Sequence, residues 1–163
     1  MSIALCQITP LFDHDIDRCA RLMASSAPWT HYGISFDTAR ALWSRALQEG
    51  ATVVVARQDD SARGFAWYVA HGGFNRSGYL KLLGVDQEAR GSGIGGALLA
   101  YVERKTLADG QRDLLLLVSD FNVAAQHFYQ AHGYREVGAL ADYVRPGIAE
   151  LIYHKRLQGE GSS

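Results

Sequence analysis

Residues Tyr79–Leu107 read YLKLLGVDQEARGSGIGGALLAYVERKTL, and the fold is decided here. The stretch opens on an apolar run, Tyr79–Val85, whose length and composition suit a buried strand. A charged turn, Asp86–Arg90, follows, and then Gly91, Gly93, Gly95 and Gly96 crowd together. From Ile94 the apolar residues Ile94, Ala97, Leu98, Tyr101 and Val102 recur at helical spacing, so a helix starts among the glycines. A helix start leaves its first N–H groups without intrahelical partners, at the positive end of the helix dipole. That combination suits a phosphate or diphosphate. A tight turn that needs glycine only for its dihedrals is the plainer alternative, but so many glycines at one helix start exceed what a turn requires.

Three kinds of site use such a loop. A nucleoside-triphosphate loop needs Gly-Lys-Ser/Thr at the helix start; Gly95-Gly96-Ala97 stands there instead. The dinucleotide pattern G-x-G-x-x-G is formally met by Gly91, Gly93 and Gly96, with Asp120 downstream for a ribose. Its first glycine should follow the strand directly, however, whereas Asp86–Arg90 intervenes, and too little chain remains for a doubly wound sheet. The third pattern is more specific. Arg90-Gly91-Ser92-Gly93-Ile94-Gly95, preceded by Leu83-Gly84-Val85, resembles the coenzyme A diphosphate loop of the GCN5-related N-acetyltransferase (GNAT) superfamily. The resemblance continues in Asn122-Val-Ala-Ala125-Gln-His-Phe128-Tyr129, similar to that family's Asn-x-x-Ala-x-x-x-Tyr helix, and in Gly133-Tyr134, where the family often has Gly-Phe.

Composition agrees with a soluble globular protein: of 163 residues, 48% are hydrophobic and 20% charged. A net charge of −1 offers no basic footprint for nucleic acid or an anionic membrane. No apolar run reaches membrane-spanning length and no signal region opens the chain, so a cytoplasmic location is expected. Cys6 and Cys19 lack metal-ligand or redox spacing and read as reduced. The scattered histidines predict no metal site.

Along the chain, Ser2–Ile8 alternates as a first strand that Pro10 ends, and Asp13 or Asp15 is placed to cap a helix running to about Ser25. Ala27–Ser35 is irregular and aromatic; Trp29, His31 and Tyr32, with Phe36, either wall an acceptor pocket or anchor the loop on the core. Phe36–Gln48 reads as a helix closed by Gly50. Ala51–Arg57 and Arg63–His71 read as strands about an Asp59-Asp60-Ser61 turn, and Gly72–Gly78 turns the chain into the Tyr79 strand. The Ile94–Leu107 helix leads to a strand at Asp113–Val118, a unit that predicts a parallel pair with a right-handed crossover. A helix at Asn122–Ala131 follows. Tyr134–Val144 and Ile148–Leu157 then flank Arg145-Pro146-Gly147, which suits a type II turn in a terminal hairpin.

The expected fold is thus α/β in the α+β sense: one GNAT-like domain over residues 1–157, followed by a disordered tail at 158–163. Its mixed, mostly antiparallel sheet has about seven strands splayed at a central parallel pair, with about four helices on its faces. The resemblance implies acetyl-CoA as acyl donor, with Leu83, Gly84, Val85, Arg90, Gly91, Ser92, Gly93, Ile94, Gly95, Gly96, Asn122 and Tyr129 in contact with it. It further implies an oxyanion donor at the Val85 N–H and a general acid at Tyr129, acting on a small-molecule or protein amine. Homodimers are common among such proteins, and oligomeric state stays open. Where some relatives carry a glutamate this chain has Leu117, so the base is unassigned among His71, Glu150, Asp86 and His31. A non-catalytic acyl-CoA sensor is the alternative.

Overall fold

A computed structural model of the chain describes residues 6–158. It contains strands β1 (Gln7–Pro10), β2 (Thr52–Gln58), β3 (Ser61–Gly73), β4 (Ser77–Val85), β5 (Asp113–Ser119), β6 (Arg135–Ala141) and β7 (Ala149–Arg156). The helices are α1 (Ile16–Ala24), α2 (Phe36–Gln48), α3 (Ile94–Ala108) and α4 (Val123–Ala131), with single 3-10 turns at Asp13–Asp15 and Gln87–Ala89. The seven strands form one sheet in the order β1-β2-β3-β4-β5-β7-β6. β4 and β5 run parallel, Gly78 opposite Leu114 through Leu80 opposite Leu116, whereas β1–β2, β2–β3, β5–β7 and β6–β7 are antiparallel. The expected mixed sheet with its one parallel pair is therefore present. The chain divides into two compact units, one holding the residues up to Tyr68 together with Leu82–Val102, the other Val69–Lys81 and the residues from Glu103 on.

In the first unit, α1 and α2 bury an apolar stripe each: Ile16, Cys19, Leu22 and Met23 from α1, Ala39, Trp43 and Ala46 from α2. Trp43 and Phe65 are both fully buried, with ring centroids 4.6 Å apart in an edge contact. Removing a ring of that size from water contributes roughly 2–3 kcal/mol. The Ser35 side chain accepts from the Thr38 N–H at 3.1 Å, which starts α2 as an N-cap should, and Gly50 closes it at φ +66°. The hairpin between β2 and β3 turns through Asp59 and Asp60, both at positive φ, the geometry that matches the strand twist.

Two sequence expectations fail in this unit. β1 lies at Gln7–Pro10 rather than Ser2–Ile8, of which residues 2–5 fall outside the described residues. Pro10 belongs to the strand because β1 is an edge and a proline there loses no ladder bond. Asp15 occupies the N-cap position of α1 but does not cap it. Its side chain, 2% exposed, instead accepts from the Phe12 N–H at 2.9 Å and pairs with Arg57 at 2.5 Å.

In the second unit, Leu114, Leu116 and Val118 of β5 and Tyr153 of β7 are buried on one face. Ile148 N–H donates to the Arg145 carbonyl at 3.2 Å and Gly147 has φ +84°, the expected type II turn. β6 stops at Ala141 instead of Val144 because Asp142 takes φ +55° and its carboxylate accepts the Gly147 N–H at 2.6 Å. Tyr143 and Val144 are consequently exposed loop residues. Both cysteines are free thiols. Apart from Gln158, the expected tail lies outside the described residues.

Candidate functional site

The first unit carries the glycine loop. At the end of β4, Gly84 is pressed from two sides. A Cβ built on it would stand 2.6 Å from Phe65 Cζ and 2.7 Å from Trp29 Cη2, while a Cβ on Gly64 would meet the Gly84 carbonyl oxygen at 2.8 Å. Glycine is required here by close approach, as its place inside a strand suggests. Leu83 and Val85 on either side are half-buried. Beyond Val85 the chain is pinned by Asp86. Its N–H donates to the Arg63 carbonyl at 2.7 Å, and its carboxylate receives Arg18 and, at 3.2 Å, Arg63. A carboxylate held by two guanidiniums is a structural clamp, which removes Asp86 from the candidate bases.

The loop then rises to α3 through Gly91 at φ +77° and Gly93 at φ +87°. Both are exposed, with nothing within 4 Å of a built Cβ, so their need for glycine is conformational. Ser92 is exposed too, and its hydroxyl and N–H donate to the Ala89 carbonyl at 2.5 and 3.3 Å. The Gly93 carbonyl accepts the Ala97 N–H at 3.0 Å, so the N–H groups of Ile94, Gly95 and Gly96 have no acceptor inside the helix. Gly93 has no side chain to cap them, and the first turn of α3 contains no acidic residue. The positive end of the dipole is thus left uncompensated by the protein. Ile94 is buried beneath the loop, 1% exposed, and fixes its position. Arg90 is exposed and, among the described residues, makes no ion pair or side-chain hydrogen bond. Three convergent N–H groups and an unengaged guanidinium are the donor set a diphosphate requires.

The aromatic loop of this unit separates in role. Trp29 is 9% exposed and lies 5.5 Å from Phe65 between ring centroids, so it anchors the loop on the core and against Gly84. His31 is exposed and Tyr32 half-buried, their rings edge to face at 6.2 Å.

The second unit carries Asn122 and Tyr129. The Asn122 side chain accepts from the Ala125 N–H at 3.2 Å and caps α4. That places Tyr129 on the inner side of the helix, 7% exposed, within a box of rings: Phe128 at 5.1 Å, Tyr134 at 5.7 Å and Tyr153 at 6.5 Å between centroids. Burial pushes the Tyr129 phenol well above its usual value. Tyr134 is held in turn, its hydroxyl donating to Glu103 at 3.0 Å where Lys155 also donates at 2.9 Å. His71 is engaged by Gln111 at 2.6 Å from Nδ1. Glu150 is 5% exposed and accepts the Ser119 hydroxyl at 3.2 and 3.3 Å. No group of three His, Cys, Asp or Glu side chains among the described residues is placed to hold a metal.

Residues 49–136, more than half of the chain, match the family model of the acetyltransferase (GNAT) domain, a span that includes the glycine loop and α4. The chain belongs to the GNAT acetyltransferase family. Among curated proteins, this GNAT chain is 35% identical over 89 residues to the mycothiol acetyltransferase of Kocuria rhizophila, an alignment covering 52% of the chain and 29% of that protein. The chain spans less than a third of that relative. Among solved structures, a GNAT-family protein from Desulfovibrio desulfuricans superposes with a TM-score of 0.81 at 24% identity, over 94% of this chain and 100% of that one. An aminoglycoside 6'-N-acetyltransferase complexed with coenzyme A gives 0.76 at 17% identity, over 94% and 98%. At those identities the structures speak for the shared fold.

Sequence reasoning missed the Arg18–Asp86 clamp and the Ser119–Glu150 pair, each joining residues distant in the chain. A signal existed only for Gly64, a glycine inside an apolar strand.

Proposed function

We propose that this GNAT domain transfers an acetyl group from acetyl-CoA directly to a primary amine. The observation that carries this reading is the entry to α3. The N–H groups of Ile94, Gly95 and Gly96 lack helical acceptors, no acidic residue offsets the dipole, and Arg90, four residues before Ile94, is exposed and unengaged. These groups would hold the coenzyme's diphosphate, with Gly91 and Gly93 giving the loop its shape and Ser92 bracing it. Acetyl-CoA supplies an activated acyl thioester. The Val85 N–H is assigned the developing oxyanion, where a fixed donor is worth more than water because it needs no reorganisation. Tyr129 is assigned the proton delivered to the departing thiolate; its place on α4, seven residues after the Asn122 cap as in the family's motif, supports that role. Leu83 and Gly84 would offer backbone to the pantetheine arm, and Asn122 serves first as the cap that orients Tyr129.

A non-catalytic acyl-CoA-binding module is the second reading, favoured by Leu117 where some relatives carry a glutamate. Thiol release from acetyl-CoA, followed across a panel of amines with the full chain, separates the two. Turnover on at least one amine is the expected result; tight coenzyme A binding with no thiol release on any amine would leave the sensor.

A further inference from the structure

The β4–β5 and β5–β7 registers set Tyr79 opposite Leu115, Leu117 opposite Ile152, and Ser119 opposite Glu150. Residues opposite one another, and those two apart along a strand, project from the same face of a sheet. Tyr79, Leu115, Leu117, Ser119, Ile152 and Glu150 therefore share one face within the second unit. The opposite face carries Leu114, Leu116, Val118 and Tyr153, none more than 4% exposed, with Tyr153 against Tyr129. The two faces differ in kind. One is sealed core; on the other, Tyr79, Leu115, Leu117 and Ile152 are all half-buried, an apolar floor with Glu150 at its end.

We propose that Glu150 receives the ammonium group of a primary amine with an apolar body, which lies across Leu117 and Ile152 between the phenols of Tyr79 and Tyr143. This rests on the transferase reading, in which that amine is the acetyl acceptor and its ammonium gives up one proton to solvent water before the nitrogen attacks the thioester. The Ser119 hydroxyl bonds both carboxylate oxygens and fixes the carboxyl plane. Glu150 and Ser119 are each 5% exposed, so an ammonium that reaches the carboxylate does so with little competing water. Tyr79 and Tyr143 supply π faces, which attract ammonium groups. Burial raises the Tyr79 pKa, and Tyr143 and Glu150 raise it further, so both lie within Coulombic reach of its hydroxyl. Tyr143, 62% exposed, leaves its ring open to an incoming ligand. The loop that holds Tyr143 is tied down by the Asp142–Gly147 bond and by Ala149, whose N–H donates to Asp120 at 3.1 Å. A carboxylate at the floor also rejects anionic acceptors.

The test titrates n-hexylamine and its neutral counterpart 1-hexanol into the full chain by calorimetry, with and without saturating coenzyme A. Hexylammonium is expected to bind the wild type at least about tenfold more tightly than hexanol, and Glu150→Gln to erase that preference. Tyr143→Ala, at an exposed side chain whose loss leaves the fold intact, is expected to weaken hexylammonium about threefold. Equal binding of amine and alcohol by the wild type overturns the proposal, as does an undiminished preference in Glu150→Gln or unchanged amine affinity in Tyr143→Ala. A Glu150-dependent amine preference without thiol release from acetyl-CoA leaves the ammonium site standing and removes the transferase reading instead.

Discussion

Replacing Gly93 by glutamate tests the loop most directly. Gly93 has φ +87°, is exposed, and has nothing within 4 Å of a built Cβ, so a side chain there meets no protein atom. The folding cost is confined to the left-handed backbone, about 1–2 kcal/mol for an L-residue. In a chain of this length that lowers Tm by roughly 2–8 °C. Ligand binding should suffer more. A carboxylate about 5 Å from each of two phosphate charges repels them by about 2 kcal/mol in total at the dielectric of water, and by about 7 kcal/mol at an effective dielectric of 20. The lower figure alone weakens coenzyme A roughly 20- to 30-fold. Gly110→Glu is the control: Gly110 has φ +78°, is exposed and equally open, but follows the other end of α3. Calorimetry with coenzyme A should show Gly110→Glu binding as wild type, with a similar fall in Tm for both variants. Coenzyme A affinity in Gly93→Glu within about threefold of wild type would refute the assignment of the diphosphate to this loop.

Other outcomes follow from the same structure. Tyr129→Phe keeps the ring box and removes only the hydroxyl; it should lower kcat by about 100-fold or more while coenzyme A affinity stays within about twofold, and an unchanged kcat removes Tyr129 as the acid. Gly84→Ala drives a methyl to within 2.6 Å of Phe65 and 2.7 Å of Trp29; urea unfolding should show a loss of about 1–3 kcal/mol, and a neutral result means the aromatic pair yields freely. The Asp113 pKa is held below its ordinary value, first by the hydrogen bond from His154 and then, after an opposing desolvation effect, by Arg156. Because the folded value is depressed, the stabilisation is present above the ordinary aspartate range, near about pH 4, and is lost as pH falls through the folded pKa. The urea midpoint of wild type should therefore approach that of Asp113→Asn on acidification from pH 6 to about pH 3; a gap that does not narrow contradicts the linkage.

Much of this fold was legible because local signals and burial agree. Phe36–Gln48 was readable to the residue with Gly50 as its stop, and the structure adds the Ser35 cap and the buried stripe of Ala39, Trp43 and Ala46. The hairpin after Tyr134 was readable from Pro146-Gly147, but its first strand was drawn too long: nothing in the order of residues says that Asp142 will leave the strand to accept the Gly147 N–H. Asp15 misled for a related reason. An aspartate before an apolar stripe looks like a cap, and only the folded chain brings Arg57 to claim it. The glycine loop was legible because its requirements are those of the backbone. The sheet face around Glu150 was not, because it exists only once β4, β5 and β7 are in register.

The close approach of Gly64 to Gly84 has a consequence for sequence drift. A methyl group is costly at either position: at Gly64 it would press on the Gly84 carbonyl oxygen, and at Gly84 on two aromatic rings. In a library of random variants these two columns should empty together, twenty positions apart. A double replacement should rescue neither, because each newcomer collides with something the other does not vacate.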